Sequence, residues 1–216
     1  MRGPLGRAVA VVAAMAATAA IYLLVIRDEG GAGERRNGGE HDNVPAEVRD
    51  LVGGLTPEQK VDGILMIGFE GTDSTSRVAG LLSDRQLGGI VVRPANWLDS
   101  AQGGALVGEL RTAAEEGGEV PPLIAAQQEG GPYRALADLP PDRRAIDIGD
   151  FGDPELAQDS AKETGDALRE AGFDMNLAPV ADVATLDSPI ADRAFSDDES
   201  VAASMTAAAV RGCAEA

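Results

Sequence analysis

Four short apolar runs alternate along this chain with segments of helical period, and that alternation leaves few folds open. The runs occupy residues 64–69, 88–92, 123–126 and 173–180. Each is too short for a helix and is bounded by glycine, proline or polar residues, which reads as a buried strand. Between them, residues 76–86 place Val78, Leu81 and Leu82 on one helical face. Residues 100–116 do the same with Ala105, Leu106, Leu110, Ala113 and Ala114, and residues 154–171 with Leu156, Ala161, Thr164, Leu168 and Ala171. Strand, helix, strand at this spacing predicts right-handed βαβ units and a parallel sheet. The fold class is therefore α/β, barrel-like or doubly wound, with every strand ending in a polar, Gly- or Pro-containing loop on one rim.

Local signals fix several element ends. Thr56-Pro57-Glu58 supplies an N-cap, a proline in the first helical turn and an acid near the helix amino terminus. Gly172 closes the helix over 154–171. Ser196 with Glu199 three residues on matches a capping box and opens an Ala-rich helix to about Arg211.

The third strand says most about function. Leu123-Ile-Ala-Ala-Gln-Gln-Glu-Gly-Gly131 is apolar and then abruptly polar, with paired glycines. The carboxyl end of a buried strand is where a β/α enzyme places its site, and glycine allows the backbone a sharp turn and close approach to a ligand. A strand-to-loop turn with solvated polar residues is the alternative for this pattern alone.

Composition narrows the chemistry. The net charge of −18 argues against nucleic acid or anionic lipid as partner. Aromatics are 3% of residues, so the core must be built from Ala, Val, Leu and Ile. One cysteine, Cys213, excludes an intramolecular disulfide framework and a Cys-type zinc site. The one histidine, His41, lies in a polar tract, so neither a His-based triad nor a His-rich metal site can be built in the folded part. No metal or cofactor is called for, and hydrolytic chemistry here would rest on carboxylates.

Three segments follow from the amino terminus onward. After Arg2 and Arg7, residues 8–26 are 19 positions without a charge. At ~1.5 Å per residue they are just long enough to span a bilayer as a helix. Their most apolar part, Ile21-Tyr-Leu-Leu-Val-Ile26, comes last, so we expect residues 1–26 to be an uncleaved signal-anchor with the body exported at the cell membrane. Cleavage near Ala17-Thr18-Ala19, which would release a secreted body, is the alternative. Residues 27–44 are Gly-rich, charged and aperiodic, a flexible linker. Residues 45–216 form the folded domain.

At this point the chain resembles glycoside hydrolase family 3, in particular its single-domain bacterial β-N-acetylhexosaminidases. The matching stretches are Leu55-Thr-Pro-Glu-Gln-Lys60, Ile67-Gly-Phe-Glu-Gly71, Gly88-Gly-Ile-Val-Val92 with Asn96, and Pro122 through Gly131. Ala171-Gly-Phe-Asp-Met-Asn-Leu-Ala-Pro-Val-Ala-Asp-Val183 and Ile190-Ala-Asp-Arg-Ala-Phe195 complete them, in the family's order over residues ~50–216. The resemblance implies a (β/α)8 barrel, of which this chain holds about the first half, and retaining hydrolysis of β-linked amino sugars. An unrelated flavodoxin-like open sheet needs no further strands but does not explain the ordered matches.

The resemblance also carries site residues. Arg193 matches the arginine that contacts substrate in the family; its alternative is a loop ion pair. Gln127 stands where the family usually has an aspartate that hydrogen-bonds sugar hydroxyls, and a neutral amide offers one acceptor and two donors where a carboxylate only accepts. Ala135 occupies the place of a family arginine, and Arg134, one residue early, substitutes only if the loop shifts. Asp182 matches a residue near the pocket floor and equally suits a loop-holding role.

The family's Lys-His pair, loop histidine and aspartate nucleophile lie in segments after position 216. Retaining hydrolysis needs two acid/base-competent groups ~5 Å apart, or an equivalent dyad, so no residue here is assigned as catalytic. We expect a truncated product or fragment that is not itself active, since half a barrel leaves two sheet edges open. The alternative function is a non-catalytic sugar-binding or degenerate membrane-anchored relative, motivated by Gln127 and Ala135.

Overall fold

The computed structural model describes residues 44–73, 77–117, 120–185 and 187–216, in two compact units that divide between Val61 and Asp62. The expected signal-anchor and most of the linker lie outside the described residues. Among those described, no helix is long and apolar enough to cross a membrane.

The first unit contributes helix α1 (Ala46–Gly54) and most of α2 (Pro57–Asp62). Thr56 caps α2 as expected. Its hydroxyl accepts from the Gln59 N–H at 3.2 Å while the Gln59 side chain accepts from the Thr56 N–H at 2.8 Å, a reciprocal box.

The second unit is a parallel sheet with helical crossovers. Its elements are β1 (Met66–Gly68), α3 (Arg77–Asp84), β2 (Gly89–Val92), α4 (Ser100–Gly117), β3 (Leu123–Ala126), α5 (Ala145–Gly149), α6 (Pro154–Glu170), β4 (Met175–Asn176) and α7 (Glu199–Glu215). Short 3-10 turns cover Pro94–Asn96, Gly131–Tyr133 and Ala191–Arg193. The strands lie in the order β1-β2-β3-β4, all parallel, with Ile67 beside Ile90, Ile90 beside Ile124 and Ala126 beside Asn176. A doubly wound sheet reverses its order at a switch point. No reversal occurs among these four strands, which corrects the flavodoxin-like alternative and leaves the barrel-type succession. A parallel bridge from Val180 to Ala194 continues the succession past β4 and brings the 190–195 segment beside it.

The expected strands and helices are present, with shifted ends. Ile64 and Leu65 precede the ladder in a turn closed by the Leu65 N–H on the Asp62 carbonyl, and Ile64 is 82% exposed. The fourth strand ladders only over Met175–Asn176, because Pro179 has no N–H to give. The final helix starts two residues later than the Ser196 box predicts: Asp198 is the cap, accepting from the Ser200 and Val201 N–H groups, and Ser196 accepts from Asp198. The Asp-, Arg- and Pro-rich segment 137–153 contains the short helix α5.

Two clusters make the core. Ile90, Val92, Ile124 and Ala126 of the sheet pack with Val78, Leu82, Leu106 and Leu110 of α3 and α4. Trp97 and Phe173 join them, ring centroids 5.8 Å apart, and Trp97 lies flat against Gly103, where any Cβ would stand 2.1 Å from the ring. Ile148, Ala157, Phe195, Met205, Ala208 and Ala209 form the second cluster, where α5, α6 and α7 meet. Gly212 brings α7 onto α6, with room for no Cβ beside the Gln158 carbonyl. Thus the core uses mostly aliphatics, with four of the scarce aromatics, Phe69, Trp97, Phe173 and Phe195, among them.

Candidate functional site

The carboxyl ends of the strands are joined to one another by polar side chains, of which Asn96 and Gln128 are buried. After β1, the Phe69 carbonyl accepts from the Arg93 guanidinium at 2.7 Å and from the Asn96 amide at 3.2 Å. Asn96, wholly buried, also donates to Gly71 at 2.8 Å. These bonds hold the first two rim loops in register. Asp138 holds the third to the second, accepting from Trp97 Nε1 at 2.6 Å and from the Ser100 N–H at 2.7 Å. Partial burial pushes the Asp138 carboxyl up, but its Ser100 and Trp97 donors outweigh this and hold it below the usual carboxylate range.

Beyond β3 the two glutamines part. Gln128 turns inward, 1% exposed, and its amide nitrogen donates to the carbonyls of Leu136, Leu139 and Pro140 at 2.8–3.0 Å. Its oxygen accepts from the Leu136 N–H at 3.0 Å, and its backbone exchanges bonds with the Asn176 side chain of β4. One buried side chain therefore closes the loop over 128–140. Gln127 turns outward and is exposed.

Glu129 joins what the sequence separates. Its side chain is only 4% exposed and accepts two bonds from Arg193, Nε to Oε2 at 2.7 Å and Nη2 to Oε1 at 2.6 Å. It also accepts from the amide nitrogen of Gln127. The Arg193 guanidinium lies 5.7 Å from the Tyr133 ring centre, close enough for a cation–π contact. Hydrogen bonding to Glu129 chiefly, and the charges of Glu129, Tyr133 and Asp182, raise the Arg193 pKa against the opposing effect of burial. The guanidinium is a fixed cation. Gly130 and Gly131, at φ of 123° and 53°, give the turn its path; a Cβ on Gly130 would stand 2.1 Å from the Arg143 carbonyl.

The four sequence candidates thus separate. Gln127 and Arg193 meet through Glu129, and the ion pair foreseen as the alternative for Arg193 is present in two-pronged form. Asp182 is exposed and acts on Arg193 through its charge. Arg134 is spent on its own loop: it donates to the Gly131 carbonyl at 3.0 Å, to Leu139 at 3.3 Å and to Asp142 at 2.6 Å. Ala135 is buried. Gln128 and Glu129 lie in the polar strand end that the sequence marks as a site, and Asn176 in a matched stretch, but the sequence gives them no role, because nothing local marks a carboxylate whose partner lies 64 residues on.

A pocket of about 40 Å³ lies under this cluster, lined by Gln128, Glu129, Asn176, Arg193 and the α6 residues Thr164 and Ala161. It has room for ordered water. Among the described residues, no group of three or more His, Cys, Asp or Glu is arranged to hold a metal.

Comparisons agree with this architecture. The glycosyl hydrolase family 3 N-terminal domain matches residues 56–216. A β-hexosaminidase of Xylella fastidiosa (strain M12) is 34% identical over 157 residues, 69% of this chain and 45% of the relative. The structure of a family 3 β-N-acetylglucosaminidase from Paenibacillus sp. superposes with TM-score 0.64 at 32% identity, covering 74% of this chain and 31% of that one. For the β-N-acetylhexosaminidase of Beutenbergia cavernae the TM-score is 0.65 at 28% identity, covering 74% and 51%. The chain spans less than half the length of the Xylella relative. With its sequential parallel sheet and its rim in the matched segment, the chain belongs to glycosyl hydrolase family 3, as an N-terminal-domain sequence.

Proposed function

We propose that this chain supplies the substrate-recognising part of a glycoside hydrolase acting on β-linked N-acetylglucosamine-type sugars of the cell wall or of chitin. The observation that carries the reading is the convergence of Gln127, Glu129 and Arg193 at the carboxyl ends of the strands, where a β/α barrel places its ligand. Gln127 brings an exposed amide and Arg193 a guanidinium oriented by its fork on Glu129, groups suited to hydroxyls and an acetamide. The names of its relatives support the same sugar. Bond cleavage needs a pair of acid/base-competent groups, and Gln127, Arg193 and Asp182 are assigned to binding.

Saturation-transfer NMR on the full chain tests this. Saturation of the N-acetylglucosamine methyl group, reduced at least several-fold in Arg193→Lys, is expected, since lysine keeps the charge but not the fork. No transfer to the wild-type chain, or equal transfer to glucose, contradicts the reading.

We also infer, from the 19 uncharged residues of 8–26 alone, that the body is extracytoplasmic and tethered to the membrane. Carbonate-resistant sedimentation with membranes, with the body open to added protease on spheroplasts, is the expected behaviour; recovery in the soluble cytoplasmic fraction contradicts it.

A further inference from the structure

The side-chain amide of Gln127 has an accepting end and a donating end, and its neighbour decides which one meets a ligand. An ionised carboxylate offers acceptors only. Glu129 accepts two bonds from the Arg193 guanidinium, one on each oxygen, so both of its oxygens serve as acceptors. Only the amide nitrogen of Gln127 can therefore stand against Glu129 Oε1, and it does. The amide oxygen is left on the other side, on an exposed residue, and among the described residues no donor occupies it. The same carboxylate consumes Nε and Nη2 of Arg193, leaving Nη1 as the nitrogen with no bond to Glu129.

We propose that Glu129 is the positioning residue of this rim, fixing Gln127 to present an acceptor and Arg193 to present Nη1 as a donor. Resting on the sugar-binding reading above, this sets the chemistry that the rim selects. It fits a ligand that offers one donor and one acceptor side by side, as an acetamido group or a vicinal pair of hydroxyls does. At the Gln127 point a group that only accepts, such as a C–F bond, gains nothing. The selectivity belongs to Glu129 as much as to Gln127, because an amide released from Glu129 could turn and offer its N–H instead.

Two readouts test the proposal in the full chain. The first needs no ligand. In a 15N-labelled sample the Gln127 side-chain amide, assigned by its loss in Gln127→Leu, is expected to show one proton shifted downfield and slowed in exchange, and Glu129→Gln is expected to abolish this. Two protons at the ordinary shifts of a free glutamine side chain, both exchanging rapidly, in the wild type overturn the proposal, and this reading decides it even if the variant does not fold. The second uses N-acetylglucosamine analogues carrying fluorine or hydrogen in place of one hydroxyl at a time. At the hydroxyl that meets Gln127, the fluoro analogue should bind no better than the deoxy analogue to the wild type, and better than it to Glu129→Gln. A fluoro analogue that already binds better to the wild type overturns the proposal. If no N-acetyl sugar binds at all, the sugar-binding reading fails, while the amide signal still decides the role of Glu129.

Discussion

Arg193 grips Glu129 with two nitrogens, at 2.7 and 2.6 Å, across 64 positions of sequence, and the carboxylate it holds is almost sealed from water. The two ends of this pair are not equivalent. Arg193 side-chain exposure is 29%, so it can be solvated alone, whereas Glu129 at 4% cannot.

That asymmetry predicts unequal costs. Arg193→Ala strands a buried carboxylate and should destabilise the fold by about 3 kcal/mol. Glu129→Gln leaves a cation that reaches water and should cost about 1 kcal/mol. Urea unfolding of both variants checks the order; equal losses would show that Glu129 is hydrated in solution.

Gln128 should matter more to stability than its exposed neighbour. Gln128→Ala takes a donor from three carbonyls, of which those of Leu136 and Leu139 keep another, and takes the acceptor from the buried Leu136 N–H, at an expected cost of about 2–3 kcal/mol. Gln127→Ala removes one bond at the surface and should change the midpoint little. Denaturant midpoints of the two variants give the comparison directly.

Two glycines in helices should respond with opposite sign. Gly108 of α4 is exposed with nothing within 4 Å of an added Cβ, so Gly108→Ala should stabilise by up to about 1 kcal/mol. In Gly212→Ala the new Cβ would meet the Gln158 carbonyl at 2.1 Å, forcing α6 and α7 apart at a cost of about 1–3 kcal/mol. Thermal melts of both variants measure this.

Acid should weaken the α5 turn. Chiefly through its hydrogen bonds, the Arg144 guanidinium holds the Asp147 carboxyl below its ordinary range. A carboxyl depressed in the folded state binds fewer protons there than when unfolded. Its stabilisation is present above the unfolded value of about 3.9 and is lost as pH falls through the folded one. Melting temperatures at pH 7, 5, 4 and 3 should therefore fall less steeply below pH 4 in Arg144→Leu than in the wild type. Comparing the two removes the general effect of titrating a chain of net charge −18. Parallel curves would count against the pair.

Much of the architecture is legible in the sequence because it depends on local pattern. Alternating apolar runs give the parallel sheet, and Val78, Leu82, Leu106, Leu110 and Leu168 are buried as their helical spacing predicts. Boundaries fail where a neighbour decides them: Asp198 displaces Ser196 as cap because its carboxylate reaches two N–H groups at once. The site is legible only in part. Arg193 and Gln127 stand out by resemblance, but what joins them is a carboxylate inside the same quoted stretch, and its role depends on a pairing that no local spacing encodes. Arg134 illustrates the converse, since its nearness to Ala135 in sequence says nothing of the Leu139 and Asp142 partners that hold it.

The central claim, that the Gln127–Glu129–Arg193 rim receives an N-acetylated sugar, is tested most directly by titrating N-acetylglucosamine into the 15N-labelled chain. Shifts concentrated at the Gln127 side-chain amide, Arg193 Nε and the Tyr133 backbone, and absent with glucose, are the predicted result. Saturable shifts elsewhere with this cluster silent, or no shifts at all, would contradict it.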